Sequence, residues 1–188
     1  MKRRDFIGKT LIGTSGMALG SSGLLPVSAL GANDKVVLAI IGSGSRGTST
    51  IINTCKINSN VEIKTVCDVN DLKAARAIEL IEKELGYKPP HQKNMNEVFD
   101  DKDIDAVWIS TPEHWHALAT VWACQAGKDV YVQKPLTFTI TEAEKIVRVV
   151  NDTMRVVQVG SQQRSSAEFQ KAIELVQSGA IGHIDKIY

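Results

Sequence analysis

At 188 residues, with 43% hydrophobic and 23% charged side chains, the chain has the makeup of one globular domain plus additional segments. The formal net charge is +1, and setting aside the four bases and one acid of residues 1–32 leaves 18 basic against 20 acidic side chains. That balance argues against a nucleic-acid surface, which needs a clustered basic excess.

The N-terminus reads as targeting rather than fold. Lys2-Arg3-Arg4-Asp5-Phe6-Ile7 precedes a mildly apolar stretch from Leu11 to Leu25 that is interrupted by Gly13, Gly16, Gly20 and Gly23, a poor composition for a membrane span. Val27-Ser28-Ala29 or Leu30-Gly31-Ala32 offers small residues for cleavage. Residues 1–32 are therefore expected to be an export signal peptide. The paired arginines followed by Phe6 resemble a twin-arginine signal, although Gly8 stands where that signal often has lysine. A general secretory signal or an uncleaved anchor is the alternative. The expected location is the periplasm, reached through the twin-arginine export machinery.

Val36 to Ile41 is an apolar run, and it leads into Gly42-Ser43-Gly44-Ser45-Arg46-Gly47. The first glycine permits a tight turn off a strand, the second lets backbone approach a pyrophosphate, and the third lets the next helix pack closely. That helix is expected from Thr48 to Ile57, with Ile51, Ile52 and Cys55 inward. Its N-terminal N–H groups would receive the phosphates. Val61 to Cys67 reads as a second strand closed by Asp68, 26 residues beyond Gly42 and near the spacing for an acid on an adenosine ribose. Asp68 could instead cap a helix, but Asn70 and Asp71 are available for that. Its carboxylate favours NAD over NADP, because it repels a 2′-phosphate; nearby Arg46 keeps NADP open.

Leu72, Ala75, Ile78, Ile81 and Leu85 recur at helical spacing, with Gly86 suited to end the helix, and Pro89-Pro90 marks a loop. Ile104 to Ser110 reads as a strand covered on both faces. Thr111 as N-cap and Pro112 at the first position would open a helix running to Ala126. A strand from Val130 reaches Lys134-Pro135. Thr141 and Glu144 suggest a capping box, with Ala143, Ile146, Val147 and Val150 inward. Val156 to Val159 is a further strand, and Ser166 to Gln177 a further helix. This alternation predicts an α/β, doubly wound Rossmann sheet with parallel strands and right-handed crossovers. Ligands bind such sheets beyond the carboxyl ends of the strands, where the Gly42 turn, Asp68, residues 111–116, Lys134 and residues 160–164 would meet.

Lys134 is the catalytic candidate. A lysine beside a positively charged nicotinamide is favoured in its neutral form, able to take the proton of a sugar hydroxyl as the hydride leaves. A solvated strand-end lysine is the plain alternative. His114 and His116 flank Trp115, but alternate helix positions point to different sides, so no metal is expected. His116 is expected toward the cofactor and His114 toward solvent. Trp108, Trp115 and Trp122 are expected to fill sheet–helix contacts. Gln162, Gln163 and Arg164 are placed to bond sugar hydroxyls, or are ordinary loop polarity. Cys55, Cys67 and Cys124 form no disulfide framework or zinc spacing and are expected in the core.

Together these residues resemble the glucose–fructose oxidoreductase, inositol dehydrogenase and MocA group of sugar oxidoreductases. The resemblance rests on Gly42 to Gly47, Asp68, Asp105-Ala106-Val107, Thr111-Pro112, His116, Ala126 to Val130, Tyr131-Val132-Gln133-Lys134-Pro135-Leu136 and Val157 to Gly160. It implies NAD as cofactor and a sugar or polyol as substrate. It places Lys134 in the catalytic group and Gly42, Gly44, Ser45, Arg46, Gly47, Asp68, Ser110, Thr111, His116 and Gln133 around the cofactor. Gln162 and Arg164 are the substrate candidates. The group more often reads Glu-Lys-Pro, and here Gln133 replaces the glutamate. Members continue into an open-sheet, α+β substrate domain, and the full-length protein is expected to be a homo-oligomer. Residues 33–164 are expected to form the NAD-binding domain. Residues 165–188 are expected to be a linking helix and the start of a largely missing second domain, leaving a fragment that does not turn over alone.

The expected chemistry is oxidoreduction with a held and recycled cofactor. Free NAD(H) is not expected outside the cytoplasm, and twin-arginine export carries folded proteins. The rivals are a glycosidase or lyase working through a transient keto sugar, whose kin tend to lack the lysine–proline motif, and a non-catalytic nucleotide-binding module.

Overall fold

A computed structural model of the protein describes residues 35–186; the export-signal reading of residues 1–32 lies outside them. Six parallel strands form one sheet in the order β3-β2-β1-β4-β5-β6. They are β1 (Val36–Ile41), β2 (Val61–Cys67), β3 (His91–Gln92), β4 (Ala106–Ile109), β5 (Asp129–Gln133) and β6 (Val157–Gly160). The connecting helices are α1 (Ser45–Ile57), α2 (Asp71–Leu85), α3 (Met95–Asp100), α4 (His116–Gln125) and α5 (Ile140–Thr153), with α6 (Ala167–Gln177) after β6. The chain order reverses between β1 and β4. That is the switch point at which doubly wound sheets bind nucleotides.

Alternation along β1 sends its side chains to two cores. Leu38 and Ile40 join Ile51, Ile52 and Cys55 of α1 and Ala74, Ile78 and Ile81 of α2. Ala39 and Ile41 join Val98 and Phe99 of α3 and Ala119, Ala123 and Cys124 of α4 on the opposite face. The strands are thus apolar on both sides, as a helix-covered parallel sheet requires. All three cysteines are free and buried, as the sequence led us to expect. Burial pushes the Cys67 thiol up to about 12, helped by Asp68 and Glu97, and burial raises Cys124 to about 11.

Several local expectations change. The buried stripe of α2 is Ala74, Ala77, Ile78 and Ile81, while Leu72 is exposed. The Pro89-Pro90 loop leads into β3 and α3, neither of which was anticipated. Thr111 does not cap a helix. Pro112 has extended backbone (ψ 148°), so a 3-10 turn over Glu113–Trp115 comes first and α4 begins at His116. The capping box of α5 is Thr139 with Glu142, two residues before the expected pair. Consequently Ile146 is buried but Val147 faces outward.

Lys128, just before β5, is buried and donates to the carbonyls of Asp101 and Ile104. Burial, then Lys102, lowers its pKa. It bonds the Ile104 carbonyl and shares the Asp101 carbonyl with the Ile104 amide, tying down the stretch that enters β4.

Candidate functional site

The turn after β1 is built by what its glycines lack. Gly42 has φ +88°, and a Cβ there would lie 2.6 Å from the Thr111 amide nitrogen and 2.8 Å from the Ser110 carbonyl oxygen. Only glycine lets the turn press against the end of β4 in this conformation. A Cβ on Gly47 would lie 2.7 Å from that of Ser110, so α1 also seats closely. At Gly44 a Cβ would meet nothing within 4 Å. Gly44 is the N-cap of α1 and contributes no side-chain acceptor. The first-turn N–H groups therefore face open space with the helix dipole behind them.

Asp68, at the end of β2, is tied to this turn. Its Oδ2 accepts from the Ser43 amide (2.8 Å) and hydroxyl (2.9 Å), and its Oδ1 accepts from the Asn70 amide (2.9 Å). Asn70, not Asp68, caps α2. The carboxylate thus fixes the loop and retains acceptor capacity, since ionised carboxylates offer about four lone-pair sites.

A cleft of about 810 Å³ opens over the switch point. Gly42, Gly44, Asp68, Ser110 and Thr111 line it, joined by residues that carried no readable motif: Lys73, Lys93, Met95 and Trp115. Trp115 is 40% exposed and faces the cleft, contrary to the expectation of a sheet–helix contact. Trp108 stacks on Tyr131 (ring centroids 3.7 Å apart), and Trp122 packs on the α4-side core.

The β4–β5 part of the rim holds polar groups with no partner. Ile109 and Val132 are in register, which sets Ser110 and Gln133 side by side one step on. The hydroxyls of Ser110 and Thr111, and both amide atoms of Gln133 (5% exposed), are buried without a hydrogen bond. Buried groups of this kind are normally satisfied; Trp108 Nε1 and Thr120 Oγ1, outside the cleft lining, share the state, and at the rim it fits a polar ligand. Lys134 follows, exposed, its ammonium without a hydrogen bond or ion pair among the described residues. His116 is turned into the fold instead of the cleft: its Nδ1 lies 2.6 Å from the Pro135 carbonyl oxygen and its Nε2 2.8 Å from that of Thr111.

Ser45 and Arg46 are exposed on the first turn of α1. Gln162 and Arg164 line a separate open hollow beside β6, where the Gln162 amide donates to the Tyr131 hydroxyl. The structure therefore gathers the glycine turn, Asp68, Ser110 and Thr111 around one cleft, with Gln133 and Lys134 next along the rim. Among the described residues no three His, Cys, Asp or Glu side chains cluster to hold a metal ion.

A glycine turn pressed on the switch point, an acid at the end of β2 and orphaned groups beyond it fit a dinucleotide, and define a nucleotide-binding Rossmann protein. Residues 36–161 match the model of an oxidoreductase family with an NAD-binding Rossmann fold; the chain belongs to that family, the glucose–fructose oxidoreductase, inositol dehydrogenase and MocA group. It is 29% identical over 169 residues to an alpha-N-acetylgalactosaminidase of Shewanella oneidensis, covering 87% of this chain and 37% of that protein. Its structure is similar to myo-inositol 2-dehydrogenase of Lactobacillus plantarum (TM-score 0.67, 26% identity, 80% of this chain and 43% of that one). It is similar also to scyllo-inositol dehydrogenase of Lactobacillus casei with bound NAD(H) and scyllo-inositol (TM-score 0.65, 26% identity, 80% and 43%). The chain spans less than half the length of these relatives.

Proposed function

We propose that the complete protein oxidises and reduces a sugar or polyol hydroxyl, with Lys134 as the acid–base residue and the cofactor retained between half-reactions. The observation that carries this reading is the rim itself: the closed Gly42–Asp68 turn, then the side chains of Ser110, Thr111 and Gln133 and the Lys134 ammonium, all without a hydrogen-bond partner among the described residues. When bound, a nicotinamide dinucleotide supplies the two-electron acceptor. The first-turn N–H groups of Ser45, Arg46 and Gly47 would hold its phosphates, and Asp68 would accept from its adenosine ribose. Ser110, Thr111 and Gln133 offer donors and acceptors to its other end. Lys134 Nζ takes the hydroxyl proton during oxidation and returns it during reduction. Gln162 and Arg164 are candidates for substrate contact from β6.

The twin-arginine-like sequence at Arg3-Arg4 supports export of a folded, loaded protein to the periplasm. A cofactor held there has no pool to exchange with, so each cycle must restore it. The test is to purify the complete protein from the periplasm and extract its nucleotide. Stoichiometric NAD(H) that stays bound through turnover is expected. Release of one NADH per substrate oxidised overturns the recycling.

The likeness to an alpha-N-acetylgalactosaminidase favours a second reading, glycoside cleavage through a transient keto sugar. The intact Lys134-Pro135 motif supports the first. Aryl glycosides assayed with the complete protein separate them, because release of the aryl group requires the second.

A further inference from the structure

His116 is 2% exposed, and each of its ring nitrogens faces a carbonyl oxygen. Those carbonyls come from two separate pieces of the rim. Thr111 follows β4 and belongs to the cleft; Pro135 follows β5 and is the residue after Lys134. The imidazole itself opens α4. One ring therefore joins the ends of three elements. A neutral imidazole donates to one carbonyl and a doubly protonated ring to both, and no other side chain bonds to either oxygen among the described residues.

Among the described residues no side chain bonds Lys134, and its place there is set through its backbone. On one side Gln133 pairs with Gly160 of β6. On the other, the Pro135 carbonyl meets His116. The lysine sits between these two ties.

We infer that His116 is a positioning residue that fastens the Lys134–Pro135 turn to the Thr111–Pro112 loop, so that the reacting lysine and the cofactor-facing loop move as one body. The inference rests on the reading of Lys134 given above, but the fastening can be measured without turnover. Three variants of the complete protein separate its parts. His116→Phe fills the space and removes every N–H that either carbonyl could accept from. His116→Asn sets an amide nitrogen near the Nδ1 position, toward Pro135, and His116→Gln sets one near the Nε2 position, toward Thr111.

The measurements are amide hydrogen exchange by mass spectrometry, with and without NADH, and NADH affinity by nucleotide fluorescence. In His116→Phe, residues 109–117 and 132–138 should exchange faster while α2 is unchanged, and NADH affinity should fall about tenfold. His116→Asn should restore protection to residues 132–138, and His116→Gln to residues 109–117. The inference is overturned if residues 132–138 keep their protection in His116→Phe, if exchange rises throughout the sheet, or if Asn and Gln behave like Phe. Should the exchange pattern hold while Lys134→Ala turns over normally, the fastening stands and the catalytic reading of Lys134 falls.

Discussion

The two halves of the rim are built differently. On the β1–β2 side, Asp68 is tied to Ser43 and Asn70, and the glycine turn is pressed against Ser110 and Thr111. On the β4–β5 side, among the described residues, the hydroxyls of Ser110 and Thr111 and the whole amide of Gln133 are buried without partners, and the Lys134 ammonium has none either. The first half is finished by the fold alone. The second has been left with polar groups whose desolvation is not offset until something binds. A preformed clamp can hold one end of a ligand while the other end completes the place where chemistry occurs.

That contrast can be broken most sharply at Lys134. In the complete protein, Lys134→Ala should lower turnover roughly 10²- to 10⁴-fold, the usual range for loss of an acid–base group, with NADH affinity changed by less than about threefold. Equal losses in both would mean that the halves do not divide binding from chemistry. Gly42→Ala probes the finished half. Its φ of +88° and a Cβ 2.6 Å from backbone predict a stability loss of at least about 3 kcal/mol, read from the urea midpoint. A wild-type midpoint would mean that the turn has room to relax.

Gln133→Leu probes the unfinished half and has two signs. Removing two orphaned atoms should leave the nucleotide-free protein as stable or more stable by up to about 1 kcal/mol, while weakening NADH binding about tenfold. If both thermal stability and affinity fall, the amide is a packing group only. The smallest effect lies outside the rim and serves as a control. Lys64 bonds Asp101 at 2.9 Å and holds its carboxyl below its ordinary value of 3.8. Because the folded value is the lower one, the stabilisation is present above pH 3.8 and fades as pH falls through the folded value. Lys64 also bonds Asp103 at 3.1 Å, and the Lys64 and Asp101 side chains are about a third exposed, so Lys64→Met should cost only about 0.5 kcal/mol near pH 6, and less as pH falls below 3.8, by urea unfolding.

The sequence carries the fold where apolar runs meet strong punctuation. β1 and β2 are legible to the residue because each run ends at a turn or an acid. β3 and α3 are not, because two and six residues hold no period to read. At α5 the same S/T-x-x-E pattern occurs at Thr139–Glu142 and Thr141–Glu144, and only packing chooses the first. In the site, glycines and a strand-end acid announce themselves by spacing. Trp115 and Lys73 reach the cleft through a 3-10 turn and a helix register that carry no motif. The placement of His116 depends on carbonyls five and nineteen residues away, and side-chain pattern carries no signal for a backbone acceptor.

The five-residue strand β5 separates two lysines with opposite fates. Lys128 enters it with its ammonium spent on two carbonyls, and Lys134 leaves it with its ammonium bonded to none of the described residues. An amine-acylating reagent applied to the native protein should therefore mark Lys134 and spare Lys128. Added nucleotide should then lower the labelling of Lys134 and leave Lys128 unmarked as before, turning a single strand of the sheet into an internal reference for occupancy.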